Sequence, residues 1–312
     1  MPTLLILAKH AAEYRRLIEA ERLPELAIVE SSDVADGTTR APDASILFGD
    51  PFRTRDALAR LPALRWVQLS WAGVEPLLAP DLRRDYLLTN IRGVFGPLMA
   101  EYVFAYALAH ERRLLARYQS QLDRVWNPTL PGTLQGKLMG LMGVGSIGAD
   151  VARTAKHFGM RVRGYTRDSE ACAAVDEYFH GDARHAFADG LDYLVAILPN
   201  TSDTRRLVDA PLLARLPPHA VFINGGRGSV VDEAALVDAL TSGRLAGAVL
   251  DVFPEEPLAP DHVFWSTPNV LITSHTAAPS FPADMVRVFA DNYRRFVRGE
   301  PLLHRVDFER GY

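Results

Sequence analysis

The chain has 312 residues, of which 48% are hydrophobic and 23% charged, and its formal net charge is -4. These proportions are those of a soluble globular protein, and the length favours two domains over one. The negative charge argues against a general affinity for nucleic acid or anionic membranes, and no apolar run reaches the ~18 residues of a membrane span.

The N-terminal residues MPTLLILAKH lack the basic segment and cleavage site of a signal peptide, so we interpret them as a buried first strand. A single cysteine, Cys172, excludes an intrachain disulfide and predicts a location in the reducing cytoplasm. No metal site is expected, because the sequence has neither an HExxH motif nor a CxxC pair. His180 and His185 lack further ligands and are interpreted as exposed histidines.

Strand-like and helix-like segments alternate along the chain, which is typical of parallel sheets covered by helices. In the first hundred residues, four apolar runs predict strands: TLLILA, LAIVE, SILF and WVQL. Residues 11–20 and 55–61 between them are compatible with helices. Residues 97–124 have apolar positions at helical spacing and predict one long helix. This helix would join two domains, pack on a second subunit or lie on the surface of its own domain.

A second alternating series begins at Lys137. Its strand-like segments are KLMGLM, RVRGY, YLVAIL, AVFIN, AGAVLD and VLIT. Six strands with five crossovers are what a complete dinucleotide-binding sheet needs. Residues 283–297 predict a last helix, whose return to the first domain would make that domain discontinuous.

A Gly-x-Gly-x-x-Gly motif, GVGSIG at residues 143–148, lies between the strand KLMGLM and a predicted helix. Gly143 permits a tight turn, Gly145 lets a pyrophosphate approach the backbone, and Gly148 lets the helix and strand pack closely. The backbone N–H groups, with those of Ser146 and Ile147, and the positive end of the helix dipole would meet the phosphate charge. The motif in this context predicts nucleotide binding.

The residues after the next strand, RVRGY, predict which cofactor is bound. An NAD enzyme typically has Asp or Glu there for the ribose 2′-hydroxyl, whereas this chain has Thr166 and Arg167. The missing carboxylate, and a guanidinium that can bind a phosphate bidentately, favour NADP(H). NAD(H) is the alternative, because Asp168 or Glu170 would also reach the ribose, in which case Arg167 would be a solvated loop arginine.

Four polar residues follow three predicted strands of the second series. Arg227 follows AVFIN, Asp251 and Glu256 follow AGAVL, and His275 follows VLIT. Taken singly, each has a structural explanation as a solvated side chain or a structural histidine. Because ligands bind at the carboxyl ends of parallel strands, their joint placement predicts one shared site beside a nicotinamide.

These motifs give the chain a family resemblance. The segments GVGSIG, NGGRG, LDVFPEEPL and TSH, together with the sequence over residues 67–297, resemble the D-isomer-specific 2-hydroxyacid dehydrogenases. The segments WAGVEPLL, MAEYVFAYAL, GYTRD and ILPNTSDTRRLV are most similar to the glyoxylate/hydroxypyruvate reductase A branch. Two features depart from the family pattern: Ser274 stands where proline usually precedes the histidine, and the N-terminal domain is short.

The resemblance implies an α/β fold with two domains built on parallel sheets. A Rossmann-type coenzyme domain would span residues 97–281, and a discontinuous, flavodoxin-like substrate domain would comprise residues 1–96 and 282–312. The active site would lie in the cleft, and the protein would be a homodimer held partly by the helix near residues 99–117.

The chemistry of a 2-keto acid suggests roles for the residues after the strands. One guanidinium can bind its carboxylate and carbonyl oxygens in a plane, which suits Arg227. When hydride reaches the carbonyl carbon, the oxygen needs a proton, and His275 is the expected donor because imidazoles titrate near neutral pH. Glu256 would orient the imidazole ring and favour its protonated form.

The resemblance also implies contacts with the cofactor and with the substrate carboxylate. Asp251 would bind the nicotinamide carboxamide, and Leu198, Pro199 and His275 would lie beside the cofactor. A loop would offer backbone N–H groups to the substrate carboxylate: Trp71, Ala72, Gly73 and Val74. In this loop Gly73 lets the substrate approach the backbone closely. Trp71 either forms a wall of the pocket or packs within the first domain.

The sequence therefore predicts an enzyme that reduces a small 2-keto acid, glyoxylate or hydroxypyruvate, to its D-2-hydroxy acid with NADPH. One alternative is a dehydrogenase for a larger 2-keto acid such as phenylpyruvate. Another is a non-catalytic nucleotide-sensing regulatory protein, since a fold alone does not define a function. A methyltransferase is disfavoured by the complete glycine motif and by Arg227, Glu256 and His275.

Overall fold

The computed structural model describes residues 1–311, which form two compact units. The first comprises residues 1–94 and 280–311, and the second residues 95–279. Tyr312, the last residue of the predicted substrate domain, lies outside the described residues. Each unit contains a parallel sheet with helices, so the predicted α/β class is confirmed.

The first unit opens with β1 (Thr3–Leu7), α1 (Ala11–Ala20), β2 (Ala27–Ser31), α2 (Val34–Arg40), β3 (Ile46–Gly49), α3 (Pro51–Ala57), β4 (Trp66–Leu69) and β5 (Leu87–Thr89). The second contains α4 (Gly96–Glu111), α5 (Leu114–Leu122), β6 (Leu138–Met142), α6 (Ser146–His157), β7 (Arg161–Tyr165), β8 (Glu177–Phe179), α7 (Arg184–Ala188), β9 (Tyr193–Ala196), α8 (Ala210–Leu213), β10 (Val221–Asn224), α9 (Glu233–Thr241), β11 (Gly247–Leu250) and β12 (Val270–Ile272). The chain then returns to the first unit with α10 (Pro282–Val297).

The sheet of the first unit has the flavodoxin-like order β2-β1-β3-β4-β5. Strand β1 is apolar from Leu4 to Leu7, and these four residues are completely buried, as expected for a central parallel strand. The last helix packs here: Phe289 of α10 stacks on Trp66 of β4 with ring centroids 5.3 Å apart, and α10 also contacts α1. The discontinuity of this unit thus has a packing cause.

The sheet of the second unit has seven parallel strands in the order β12-β11-β10-β9-β6-β7-β8. This is the dinucleotide-binding order with one further strand, β12, at the edge. Alternate residues of the central strands face opposite sides, so Leu194 joins one core and Tyr193 the other. The order reverses between β6 and β9, which is where open sheets of this kind bind ligands.

Several elements differ from those predicted. The single helix over residues 97–124 is wrong: Arg113 has a φ of 53°, and this left-handed residue ends α4 and separates it from α5. Three short elements were not predicted, namely β5, β8 and α2. The helix α2 was not predicted from the sequence, because Gly37, Thr38 and Thr39 are weak helix formers. A β-carbon on Gly37 would lie 2.7 Å from a terminal side-chain carbon of Leu7, so α2 packs closely on β1 at this position. Within residues 1–311, no helix combines the length and apolarity needed to cross a membrane.

Candidate active site

The carboxyl ends of the second sheet bring the predicted site residues of the second unit to one edge. Pairing of Asn224 with Leu250, and of Leu250 with Ile272, places the ends of β10, β11 and β12 side by side. The loops bearing Arg227, Asp251 and His275 therefore begin on three adjacent strands. The glycine loop begins at the end of β6 on the same edge.

The three glycines of the loop over residues 143–148 meet different requirements. Gly143 has a φ of 96°, and a β-carbon there would lie 2.6 Å from the carbonyl oxygen of Ile197. At Gly148 a β-carbon would lie 2.2 Å from the Gly143 oxygen, so α6 and its loop need the glycine to pack. At Gly145, by contrast, a β-carbon would meet no atom within 4 Å. The open space lies at the N-terminus of α6, where N–H groups and the helix dipole fit a pyrophosphate.

The loop that carries Arg227 is held by a buried amide. Asn224 Nδ2 donates to the Arg227 carbonyl at 3.1 Å, and Asn224 Oδ1 accepts from Gly226 N at 3.2 Å. The guanidinium itself is half-buried and donates through Nη1 to the Gly226 carbonyl at 2.9 Å. A β-carbon on Gly228 would lie 2.0 Å from the Phe253 carbonyl carbon, so the loop that carries Arg227 packs tightly on the loop after β11. This role of Asn224 was not predicted, although the residue lies in the NGGRG motif.

His275 and Glu256 form the predicted acid–imidazole pair. His275 Nδ1 lies 2.7 Å from Glu256 Oε2, and Glu256 Oε1 accepts from the Phe253 N–H at 2.9 Å. Because an ionised carboxylate only accepts hydrogen bonds, Nδ1 carries the hydrogen and the ring orientation is fixed. Within residues 1–311, Nε2 makes no hydrogen bond, and the side chain is 55% exposed. The imidazole thus presents its second nitrogen to a ligand.

Asp251 is 2% exposed and holds the segment that contains His275. Its Oδ1 accepts from the Thr273 hydroxyl at 2.6 Å and from Thr276 N at 2.8 Å, and its Oδ2 accepts from Ala277 N at 3.1 Å. The Asp251 carbonyl accepts from His275 N at 2.8 Å. His275 has a φ of 54°, a backbone conformation that costs a non-glycine residue on the order of 1–3 kcal/mol. The hydrogen bonds to Asp251 offset that strain.

Residues 166–170 form the loop expected at the cofactor's ribose. Thr166 Oγ1 donates to the Ser169 carbonyl at 2.7 Å, and Arg167 Nη2 pairs with Asp203 Oδ2 at 3.0 Å on the surface. His180 is half-buried, so its predicted exposure is wrong, whereas His185 is exposed as predicted. The reason is that the His180 ring lies against this loop.

His180 binds both Thr166 and Glu170. Its Nδ1 lies 3.0 Å from the Thr166 carbonyl oxygen, and its Nε2 lies 2.9 Å from Glu170 Oε1. These hydrogen bonds, first the one to Glu170 and then the one to Thr166, raise the pKa of His180. The Glu170 carboxylate, one of the two acids that favoured NAD(H), is therefore already paired with a side chain.

Leu198 and Pro199 follow β9 and face the loop after β10. A β-carbon on Gly226 would lie 2.7 Å from Leu198 N, so the loops after β9 and β10 are in close contact. Within the loop after β9, the Thr204 hydroxyl donates to the Pro199 carbonyl at 2.6 Å and closes a compact turn. This turn lies at the same sheet edge as the glycine loop.

The loop of Trp71, Ala72, Gly73 and Val74 follows β4 in the first unit. Asn90 Nδ2 donates to the Ala72 carbonyl at 2.7 Å, which fixes the carbonyl direction. The N–H groups of residues 72–74 make no hydrogen bond within the described part of the chain. Trp71 is 43% exposed, and its ring lies edge-on to that of Phe52, with centroids 6.1 Å apart.

Cys172 is a half-buried free thiol. Across residues 1–311, no three His, Cys, Asp or Glu side chains are grouped so as to hold a metal ion.

Comparison with known proteins agrees with this geometry. Residues 104–277 match the family described as D-isomer specific 2-hydroxyacid dehydrogenase, NAD binding domain. The chain is 33% identical, over 285 residues, to glyoxylate/hydroxypyruvate reductase A of Serratia proteamaculans, covering 88% of this chain and 90% of that protein.

Two solved structures extend the likeness to the whole chain. A D-isomer specific 2-hydroxyacid dehydrogenase family protein from Aeromonas salmonicida is 40% identical, with a TM-score of 0.93 and coverage of 98% of this chain and 99% of the other. The NADPH-dependent glyoxylate/hydroxypyruvate reductase of Sinorhizobium meliloti, in complex with NADP and sulfate, is 30% identical, with a TM-score of 0.88 and complete coverage of both. The resemblance in the sequence motifs is confirmed: this chain belongs to the D-isomer specific 2-hydroxyacid dehydrogenase family and is an NAD(P)-dependent oxidoreductase.

Proposed function

We propose that this protein uses NADPH to reduce a small 2-keto acid, either glyoxylate to glycolate or hydroxypyruvate to the D-2-hydroxy acid D-glycerate. The main support is the contact of 2.7 Å between His275 Nδ1 and Glu256 Oε2. It leaves His275 Nε2 without a hydrogen bond among the described residues, at the sheet edge that also bears the glycine loop. A protein that only senses a nucleotide has little need for an oriented proton donor. The Serratia and Sinorhizobium relatives, which are named as glyoxylate/hydroxypyruvate reductases, support the substrate class.

The second unit would hold the cofactor, and the first would act as the substrate domain. The pyrophosphate would bind at Gly143, Gly145, Ser146, Ile147 and Gly148, and the rest of the cofactor beside Leu198, Pro199 and Asp251. The reduced nicotinamide, when bound, supplies a hydride. The open space at Gly145 and the N–H groups at the start of α6 support this placement.

A preference for NADPH follows from the loop over residues 166–170. No carboxylate occupies the position of Thr166, and the carboxylate of Glu170 is paired with His180. Arg167 pairs with Asp203 on the surface, where an ion pair is worth at most about 1 kcal/mol. Hydrogen bonds to a charged group contribute about 1.5–3 kcal/mol, so a 2′-phosphate would compete well for this guanidinium.

The substrate's charges define the roles of the remaining residues. Arg227 would bind the carboxylate and carbonyl oxygens in one plane, and the N–H groups of Ala72, Gly73 and Val74 would bind the carboxylate. His275 Nε2 would donate a proton to the carbonyl oxygen as its negative charge develops. Glu256 would keep the ring oriented and stabilise the charged imidazole.

We propose that the protein is a homodimer joined through α5 and the segment after it. α5 has no buried residue, and the exposed apolar side chains here are Leu114, Leu115, Tyr118, Leu122, Val125, Trp126 and Leu130. A monomer rarely exposes so many large apolar side chains in one short segment, and a second copy would cover them. Light scattering would show a dimer, and the double variant with Leu115→Glu and Tyr118→Glu should be monomeric.

We also propose a cytoplasmic location, where Cys172 stays reduced.

The decisive experiment follows NADPH and NADH absorbance with glyoxylate, hydroxypyruvate and phenylpyruvate. The proposal requires faster turnover of the two small acids, a preference for NADPH, and D-glycerate as the product from hydroxypyruvate. Preference for phenylpyruvate would instead show an enzyme for larger acids. Tight NADPH binding without turnover of any acid would show a nucleotide sensor.

A further inference from the structure

Two hydroxyl groups connect helix α4 to the segment that carries His275. Tyr102 on α4 is buried, and its hydroxyl lies 2.9 Å from Thr273 Oγ1. Thr273 Oγ1 lies 2.6 Å from Asp251 Oδ1. Neither hydroxyl takes part in the proposed reaction. Thr273 contacts the Asp251 carboxylate directly, and Tyr102 is connected to it through Thr273.

The direction of these hydrogen bonds can be deduced. The Asp251 carboxylate only accepts, so the single hydroxyl hydrogen of Thr273 is donated to it. Thr273 Oγ1 must then accept from Tyr102, and the bonds run from Tyr102 through Thr273 to Asp251. Burial raises the pKa of Tyr102, so its hydroxyl keeps the proton that it donates.

Asp251 depends on these donors. Its carboxylate is buried, and among residues 1–311 it has no cationic partner. Its partners are the Thr273 hydroxyl and the N–H groups of Thr276 and Ala277. A buried carboxylate with so few donors is sensitive to the loss of any one, because no water replaces the missing bond.

We propose that Tyr102 and Thr273 are positioning residues, which fix the Asp251 carboxylate and thereby hold His275 in its left-handed conformation beside Glu256. This inference rests on the proposed function, because it concerns the placement of the proton donor. Loss of either hydroxyl lets the carboxylate rotate away from the N–H groups of Thr276 and Ala277. His275 then samples orientations that do not deliver a proton.

Four substitutions test the proposal: Thr273→Val, Thr273→Ser, Tyr102→Phe and Tyr106→Phe. Thr273→Val removes the hydroxyl and should lower kcat for hydroxypyruvate about 10- to 100-fold, because misplacement of ~1 Å has effects of this size. KM and the Kd for NADPH should change less than kcat. Thr273→Ser should restore most of kcat, and Tyr102→Phe should lose less than Thr273→Val because Thr273 keeps its bond to Asp251.

Tyr106→Phe is the matched control. Tyr106 lies one turn along α4, its ring is 4.9 Å from that of Tyr102, and its hydroxyl lies outside the hydrogen-bonded series. This variant should retain wild-type kcat. A Thr273→Val enzyme with unchanged kcat, or a Thr273→Ser enzyme as slow as Thr273→Val, would overturn the proposal.

Hydrogen exchange separates failure of this inference from failure of the proposed function. The amides of Thr276 and Ala277 should exchange about 10-fold faster in Thr273→Val than in the wild type, whether or not the protein reduces any keto acid. Tyr102→Phe should show a smaller acceleration in the same two amides, which keeps the test valid if Thr273→Val fails to fold. Unchanged exchange in both variants would refute the positioning role. An inactive wild type with accelerated exchange in the variants would refute only the function.

Discussion

Two loops at the same sheet edge are held in contrasting ways. The histidine loop, residues 273–277, is bound to the buried carboxylate of Asp251 by one hydroxyl and two N–H groups. The ribose loop, residues 166–170, is held at the surface by the Arg167–Asp203 pair and by His180. Contacts in a dry environment are strong, whereas exposed ion pairs contribute little.

Under the proposed function, this difference would separate the chemistry from the choice of cofactor. A proton donor must stay within a fraction of an ångström of its working position, so buried contacts around it are necessary. Recognition of a ribose substituent needs only a charge of the right sign at the surface, and single substitutions can change it. Substitutions in the histidine loop should therefore affect turnover, and those in the ribose loop should affect cofactor preference.

The largest effect is expected from His275→Ala. If Nε2 delivers the proton, kcat should fall on the order of 10²–10⁴-fold, the usual contribution of a general acid. The Kd for NADPH should stay close to that of the wild type, because the glycine loop is untouched. The matched control is His185→Ala, which removes an exposed histidine of the same unit. Near-normal kcat in the His275 variant would remove this residue from the mechanism.

Arg227→Lys should have the next largest effect. Lysine keeps the positive charge but loses the planar pair of donors, and one lost charge-assisted hydrogen bond of about 1.5–3 kcal/mol predicts a roughly 10- to 100-fold fall in kcat/KM. Most of the deficit should appear in KM for the keto acid. Arg215→Lys, at an exposed pair with Asp189, is the control and should leave kcat/KM unchanged. An unaffected kcat/KM in Arg227→Lys would show that the keto acid is bound elsewhere.

The main strands of both sheets could be predicted because each is a short apolar run between polar segments. The exposed edge strand β8 gave no such signal, since one of its three residues is exposed and none is buried. The end of α4 depends on the backbone angle of Arg113, an ordinary surface arginine whose left-handed conformation has no mark in the sequence. Apolar patterns thus reveal buried elements better than edges and breaks.

The residues at the strand ends could also be predicted, because the glycine motif and the His275 and Glu256 motifs have characteristic neighbours. Their supports could not. Asn224 and Thr273 are common polar residues whose hydrogen bonds exist only once the loops meet, and Tyr102 is 171 residues from its partner in the sequence. Candidate functional groups are recognisable from residue type and spacing, whereas the groups that hydrogen-bond to their loops can be identified only from the tertiary structure.

Exchange of Arg167 for Asp should change cofactor preference with a smaller effect on turnover. A carboxylate would repel the 2′-phosphate and accept from a 2′-hydroxyl, so the ratio of kcat/KM with NADPH to that with NADH should fall about 10- to 100-fold. Arg161→Asp is the control, because it makes the same charge change at the exposed opposite end of β7. An unchanged ratio in Arg167→Asp would mean that the 2′-phosphate is recognised by other residues.

The smallest effect concerns His180 and the stability of the ribose loop. Its pKa is raised in the folded protein by the hydrogen bonds to Glu170 and Thr166, so folding favours the protonated ring. The stabilisation is therefore complete below the unfolded pKa of about 6.5 and is lost as the pH rises through the higher folded value. His180→Gln should lower the free energy of unfolding more at about pH 5 than at about pH 9, as measured by urea titration.

His110, in the same unit, should contribute to stability with the opposite pH dependence. Burial on α4 lowers its pKa, so folding favours its neutral ring and its contribution to stability is lost as the pH falls below about 6.5. His110→Gln should therefore make the free energy of unfolding fall less at acidic pH, whereas His180→Gln should make it fall more.

In a Glu170→Gln background the pH-dependent effect of His180→Gln should shrink, because the largest cause of the raised pKa of His180 has gone. An equal pH dependence with and without Glu170 would mean that the Thr166 carbonyl alone holds the charged ring and that the ribose loop does not depend on this exposed pair.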